Sequence, residues 1–183
     1  MSATVHEAPP IPARAFRDSV GEFATGVTVV TAEHPEAGPA GMTLNAFTSV
    51  SLEPLLVLVS LGHGSRTLEA VRAGGRLAIS VLHRGQRDVA IAFATPGGEF
   101  PAGRVMRSHD GFLVVRGAAA TLHCSAAEIR RAGDHDLVLG AVVGMSHHGG
   151  EPMVFHRGRF GGLTTDAFVP PGHPISLDEG AGW

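Results

Sequence analysis

The sequence predicts a mainly β protein of one domain, an antiparallel barrel with a few peripheral helices. Three observations carry that expectation. Segments of β-branched or alternating apolar residues outnumber segments with helical periodicity. The helical segments fall between strands without the regular βαβ alternation that a doubly wound sheet requires. A length of 183 residues is enough for one hydrophobic core and short for two.

Composition narrows the class. Hydrophobic residues make up 44% and charged residues 17%, the balance of a globular chain rather than a disordered one. The formal net charge is -3, so no nucleic-acid partner is expected. All 14 basic residues are arginines, scattered rather than gathered into a patch. Cys124 stands alone, which excludes an intrachain disulfide and a cysteine-based zinc site. Met1–Pro10 has neither a basic nor an apolar signal region, and the dense apolar run Leu55–Val59 is too short to cross a bilayer. A soluble cytoplasmic protein with no membrane association is the expectation.

Residues 1–11 lack periodicity and read as a loose tail; 12–163 read as the domain, and 164–183 as an irregular tail with Pro170, Pro171 and Pro174. Pro12 suits the opening of a helix, and Phe16, Val20 and Phe23 follow at i, i+4 and i+7 as one apolar stripe. Val27–Thr31 is a β-branched strand, followed by a turn near Gly38-Pro39 and one alternating strand over Met42–Val50. Leu55–Leu61 reads as a strand buried on both faces. Ser65 caps a short helix through Val71, with Glu69 near its positive end, and Gly74-Gly75 stops it. Leu77–Leu82 is a strand and Gln86–Ala94 a helix, closed by Pro96-Gly97-Gly98. Gly97 to Asp110 reads as a mobile loop. Phe112–His123 and Leu137–His147 read as two longer strands. Met153–Phe155 is a short one before a glycine-rich turn at Gly161.

Most chemical motifs are missing. No G-x-G-x-x-G leads from a strand into a helix, and there is no Walker A segment. Gly62-His63-Gly64-Ser65 lacks the flanking glycines of a nucleophile elbow. None of the 11 histidines lies in H-E-x-x-H, and adjacent His147-His148 point to opposite faces of a strand. No metal site is expected.

What remains is a set of short polar and glycine-rich segments set among strands. They are Thr25-Gly26-Val27-Thr28, the run Met42 to Ser51, Ser65-Arg66-Thr67, Gly133-Asp134-His135-Asp136, and His156-Arg157-Gly158-Arg159-Phe160. In order and spacing, from about Phe16 to Leu163, they resemble the flavin reductase family. These are stand-alone NAD(P)H:flavin oxidoreductases that supply reduced flavin to two-component monooxygenases. The block from Asn45 to Pro54 is the most specific part of the match.

The resemblance implies a six-stranded antiparallel split β-barrel, an FMN-binding split barrel, assembled as a homodimer. It implies bound FMN or FAD, NADH in preference to NADPH as hydride donor, and a monooxygenase component as recipient of the reduced flavin. A non-catalytic flavin-binding or sensor module on the same barrel is the alternative. By resemblance, Asn45, Ala46, Ser49, Val50 and Ser51 lie against the ring and ribityl chain, with Thr43 among the flavin-binding residues. Ala46 stands where the family often has serine. An edge strand with solvated hydroxyls is the plainer reading of the same run.

Ser65, Arg66 and Thr67 suit the flavin phosphate: hydroxyls and free amides at a helix start beside a guanidinium form an anion site. An ordinary N-cap with an exposed arginine is the plainer reading. His135 is the catalytic and nicotinamide-side candidate, able to hydrogen-bond a carboxamide or pass a proton. It also reads as a turn residue paired with Asp134 and Asp136. Phe160 would pack beside the rings. An arginine of its segment, Arg159 or Arg157, would hold a pyrophosphate or pair with an acid at the dimer seam. Phe23 and Phe93 read as core.

Overall fold

The computed structural model describes residues 10–95 and 98–163. The two tails proposed for 1–11 and 164–183 fall largely outside these residues, as do Pro96 and Gly97. Three helices, α1 (Ala13–Val20), α2 (Arg66–Gly74) and α3 (Arg87–Ala94), accompany twelve strands. The strands are β1 (Thr25–Gly26), β2 (Thr28–His34), β3 (Gly38–Leu44), β4 (Phe47–Leu52), β5 (Leu55–Gly62), β6 (Arg76–Val81), β7 (Val105–Arg107), β8 (Leu113–Val115), β9 (Ala120–Ala132), β10 (His135–His147), β11 (Val154–His156) and β12 (Arg159–Gly161).

The main sheet has seven strands in the order β3-β2-β6-β9-β10-β5-β4, every pairing antiparallel. The sequence reading expected six strands. Part of the difference is that Met42–Val50 is two strands, broken at Asn45-Ala46, rather than one. The first and last strands of the sheet, β3 and β4, are not paired with each other. Yet only Asn45 and Ala46 separate them in the chain. Two residues reach about 7 Å, so the sheet curls until its two edges meet at that dipeptide. The Ser60 amide donates to the Ala46 carbonyl at 3.1 Å and extends the β4–β5 ladder into the junction. Two small sheets, β1-β11-β12 and β7-β8, flank the main one.

Two apolar clusters hold the layers. One lies under α2 and joins Val30, Val59, Leu61, Leu68, Val71, Leu77, Ile79 and Val138. The other gathers Val27, Val29, Leu82, Val89, Phe93, Val115 and Met153 around α3, with Phe155 and Phe160 packed at its rim. Phe93 is core, as expected from its stripe. The α1 stripe is not: Phe16, Val20 and, past the helix end, Phe23 are 60%, 51% and 77% exposed, because no layer among the described residues covers that face. The β5 run is also buried on one face only. Val57, Val59 and Leu61 point into the core, while Leu56, Leu58 and Ser60 stay half-exposed.

The stretch from Gly97 to Asp110, read as loop, contains a 3-10 turn at Ala102–Arg104 and strand β7, which pairs with β8. The Phe112–His123 segment divides into β8 and the start of the longer β9. The hairpin turn after β11 falls at Arg157-Gly158, ahead of Gly161. At the end of α2 the two glycines serve different needs. Gly75 takes φ 65 as the left-handed cap and donates to the Val71 carbonyl. Gly74 passes so near the Glu33 backbone that a Cβ would stand 2.6 Å from its carbonyl oxygen.

Candidate functional site

Where the sheet edges meet, an open groove of about 980 Å³ runs along the surface. Asn45, Ala46 and Thr48 form one side, Leu58 and Ser60 of β5 the floor, and α1 with Gly21–Phe23 the other side. Phe155, Arg157 and Gly158 close one end. Apolar walls with a few convergent polar groups suit a planar heteroaromatic ligand. Small side chains at Ala46 and Ser60 leave main chain accessible, the property a ring with several carbonyls needs.

One wall atom is out of balance. The Thr25 hydroxyl is buried without a hydrogen-bond partner, singular in this among the described residues, and Thr25 lines the groove. Such an orphan costs about 1–3 kcal/mol, which a polar ligand atom seated beside it would relieve.

The end of the groove at Arg157 is clasped. Arg157 takes φ 48, the left-handed region that residues other than glycine rarely visit. Its Nε donates to both carboxylate oxygens of Glu22 at 2.9 Å, and its backbone amide donates to the Gly21 carbonyl at 3.0 Å. This holds the turn after α1 against the β11–β12 hairpin. The Arg157 hydrogen bond keeps the Glu22 carboxyl below its ordinary range and raises the guanidinium in return. The acid that Arg157 meets belongs to its own chain.

The other expected residues are distributed as follows. Asn45 and Ala46 line the groove. Ser51 shares the outer face with Thr48, because a bulge at Val50 shifts the β4–β5 register, and its hydroxyl accepts from the Glu53 amide at 3.2 Å. Ser49 and Val50 are exposed on β4 beyond the groove lining. Thr43 turns away: its hydroxyl donates to the Ala90 carbonyl of α3 at 2.7 Å. Arg159 is exposed on the hairpin opposite His156, beside a shallow depression separate from the groove. Phe160 packs on Phe155 with ring centroids 5.5 Å apart, and it is Phe155 that faces the groove. Phe23, read as core, is a groove wall.

Beyond Ser60, β5 runs into Gly62 and the turn to α2. Ser65 caps that helix, its hydroxyl accepting from the Leu68 amide at 3.2 Å. Arg66 is exposed and donates to the Gly98 carbonyl at 2.8 Å. Thr67 is buried at 2% exposure, facing the core. The helix start therefore presents Ser65 and Arg66 outward but not Thr67. His135, the first residue of β10, pairs in register with Gly62, and so lies on the same sheet face as Ser60, one pleat further along. A Cβ on Gly62 would stand 3.7 Å from the His135 Nε2. Nδ1 of His135 is 2.8 Å from the Asp134 carboxylate, and this hydrogen bond holds Asp134 below its ordinary range.

Several residues around the site carried no functional role in the sequence reading: Thr25, Ser60, Phe155, Glu22 and His63. Asp136 was expected only as a charge partner of His135, but it bonds His63 and Arg72 instead, and Asp134 alone holds His135. Two had a signal. Ser60 interrupts an apolar run, and Asp136 falls in the strand phase of buried Val138. Glu22 had none, since its bond to Arg157 spans 135 residues of chain.

An open groove for a flat polar ligand, with a capped helix start and a carboxylate-held histidine along the same strand, defines a cofactor- or substrate-binding β protein. Known proteins supply the family. Residues 20–164 match the family described as the flavin reductase like domain, and this chain belongs to it. It is 40% identical over 148 residues to FMN reductase (NADH) SmoA of Agrobacterium fabrum, across 81% of this chain and 84% of the relative. It is 43% identical over 148 residues to a Rhizobium meliloti protein named "Probable flavin reductase", where it spans only 48% of the relative's length. The fold matches the NADH:FAD oxidoreductase SgcE6 of Streptomyces globisporus, in complex with NAD and FAD fragments, with a TM-score of 0.78. Identity there is 36%, over 87% of this chain and 99% of that one.

Proposed function

We propose that this chain is an NAD(P)H:flavin oxidoreductase that moves hydride from NADH to FMN or FAD and passes the reduced flavin to a partner monooxygenase. The observation that carries the reading is the groove at the Asn45-Ala46 junction of the sheet edges, in a chain of the flavin reductase family. Relatives named as reductase subunits of monooxygenases support the transfer to a partner.

Flavin supplies the hydride-accepting ring, and nicotinamide the hydride. The protein's task is to hold the two at near-attack distance and keep them aligned. On this reading Asn45 and Ala46 offer polar and backbone groups to the ring edge, and Thr25 donates its idle hydroxyl. Ser65 and Arg66 receive the phosphate at the start of α2. His135, oriented by Asp134, stands one pleat beyond Ser60 and donates a hydrogen bond on the nicotinamide side. Exposure of Asn45, Ala46 and Thr48 leaves the ring free to exchange, as a diffusing product requires.

The curled sheet is read as the split barrel of the family, its split lying at Asn45-Ala46. The exposed apolar residues Phe16 and Val20 on α1, with Leu52 and Leu55 at the β4–β5 turn, support a homodimer. No helix among the described residues is long and apolar enough to cross a membrane, and a cytoplasmic enzyme is proposed.

Steady-state oxidation of NADH and NADPH, each with FMN, FAD, riboflavin or no flavin, tests the reading. Flavin-dependent NADH oxidation is expected, with NADPH the poorer donor. NADH oxidation that ignores added flavin defeats the proposal.

A further inference from the structure

The β10 strand alternates, and Asp136, Val138 and Gly140 take the core-facing positions. A carboxylate in that phase is unexpected. Asp136 is 1% exposed, beside the apolar cluster beneath α2. Replacing a buried ion pair by apolar residues of similar volume is often neutral or stabilising. Stability alone is therefore a poor reason for a charge here, and its partners suggest another.

Oδ1 of Asp136 lies 2.7 Å from the His63 Nε2, and Oδ2 accepts from the Arg72 guanidinium. His63 belongs to the turn between β5 and α2, three residues before Arg66; Arg72 belongs to the last turn of α2. Both ends of the helix are thus tied to one buried atom group. The His63 backbone repeats the attachment, donating to the Asp134 carbonyl at 3.1 Å, and the Ser65 amide donates to the Gly62 carbonyl at 3.3 Å. On the other side of Asp136 in sequence stands His135. Burial disfavours the ionised carboxyl, but hydrogen bonds and charge from His63 and Arg72 outweigh it and hold the group below its ordinary range.

We propose that Asp136 is a positioning residue for the flavin site, locking the Ser65–Arg66 turn against β10 through its bonds to His63 and Arg72. The inference rests on the phosphate role of Ser65 and Arg66. It adds that their placement is set by a carboxylate that touches no ligand. Losing the carboxylate need not unfold the chain, since the His63 and Arg72 side chains are 29% and 53% exposed and regain water.

The test compares FMN with riboflavin, which lacks the phosphate, as acceptors in NADH oxidation by the full chain. Asp136→Asn is expected to raise the FMN KM about tenfold, the scale of one lost charge-assisted hydrogen bond. The riboflavin KM, and kcat at saturating flavin, should stay within about twofold because no phosphate contact is made or lost. His63→Ala, a milder change on a half-buried turn, should give the same split at about threefold, and His63→Gln, which keeps a donor, should restore it. His63→Ala also decides the matter should Asp136→Asn fail to fold. Equal rises for both flavins, or a fall in melting temperature without a split, overturn the proposal. Ser65→Ala and Arg66→Ala separate the two levels. If neither splits FMN from riboflavin, the phosphate reading falls and this inference with it. If they do while Asp136→Asn and His63→Ala do not, only this inference falls.

Discussion

The two walls of the site as proposed, the α2 start beyond the end of the groove and α1 along its side, are built on opposite plans. On the α2 side, the turn from Gly62 to Arg66 is capped by Ser65, tied to β10 through Asp136, and backed by buried Leu68 and Val71. On the α1 side, the helix buries no residue and presents Phe16 and Val20 to the surface, with Phe23 exposed in the turn that follows it. There the Glu22–Arg157 clasp holds the turn after α1 to the hairpin. The contrast shows how an exchanging site can be specific. Anion recognition needs donors at fixed positions, and the proposed phosphate site would sit where hydrogen bonds and core packing over-determine the backbone. A flat ring needs area and room to leave, so it is met by a wall with few ties of its own.

The largest expected effect falls on the determined wall. Ser65→Ala combined with Arg66→Ala should raise the FMN KM roughly a hundredfold, as two charge-assisted hydrogen bonds go. The riboflavin KM should not follow, and a parallel rise in both would erase the distinction between the walls. Next comes the nicotinamide side. His135→Ala should lower kcat with NADH about tenfold, the scale of one lost positioning hydrogen bond. Flavin binding, followed by fluorescence titration, should be unchanged.

The open wall is probed by Thr25→Val. Removing a hydroxyl without a partner should leave the melting temperature unchanged or higher, while the KM for either flavin rises about threefold. A lower melting temperature would mean that the hydroxyl is bonded within the protein and not idle. The smallest effect lies outside both walls. Asp110 is held at a pKa of about 2, chiefly by the Ser108 hydroxyl and also by His123, against 3.8 for the free group. Its stabilisation is present above pH 3.8 and is lost as the pH falls through about 2. Asp110→Asn should therefore lower stability at neutral pH, flatten the acid limb of a denaturation profile, and leave both KM values alone.

Much of this was legible in local chemistry. The Ser65 cap, the Gly74-Gly75 stop and the β-branched strands each depend on neighbours a few residues away, and the structure contains them. The ordered set of polar segments was enough to bring the chain to its family. Phe23 shows where local reading ends. Its helical spacing marks an apolar stripe, but periodicity does not say whether anything covers that stripe. Thr43 and Thr67 are similar: a hydroxyl at the right point in a run still has its direction set by the strand or helix that carries it.

By itself the sequence determined the strand-rich character of the chain and the ordered short polar segments that carry its family resemblance. Those depend on residue type and spacing alone. Only the tertiary structure decided that the sheet edges meet at Asn45-Ala46, that Arg157 answers Glu22, and that Asp136 draws His63 and Arg72 together. Each of these joins residues distant in the chain, and their pairing is set by strand order and packing, which no local pattern encodes.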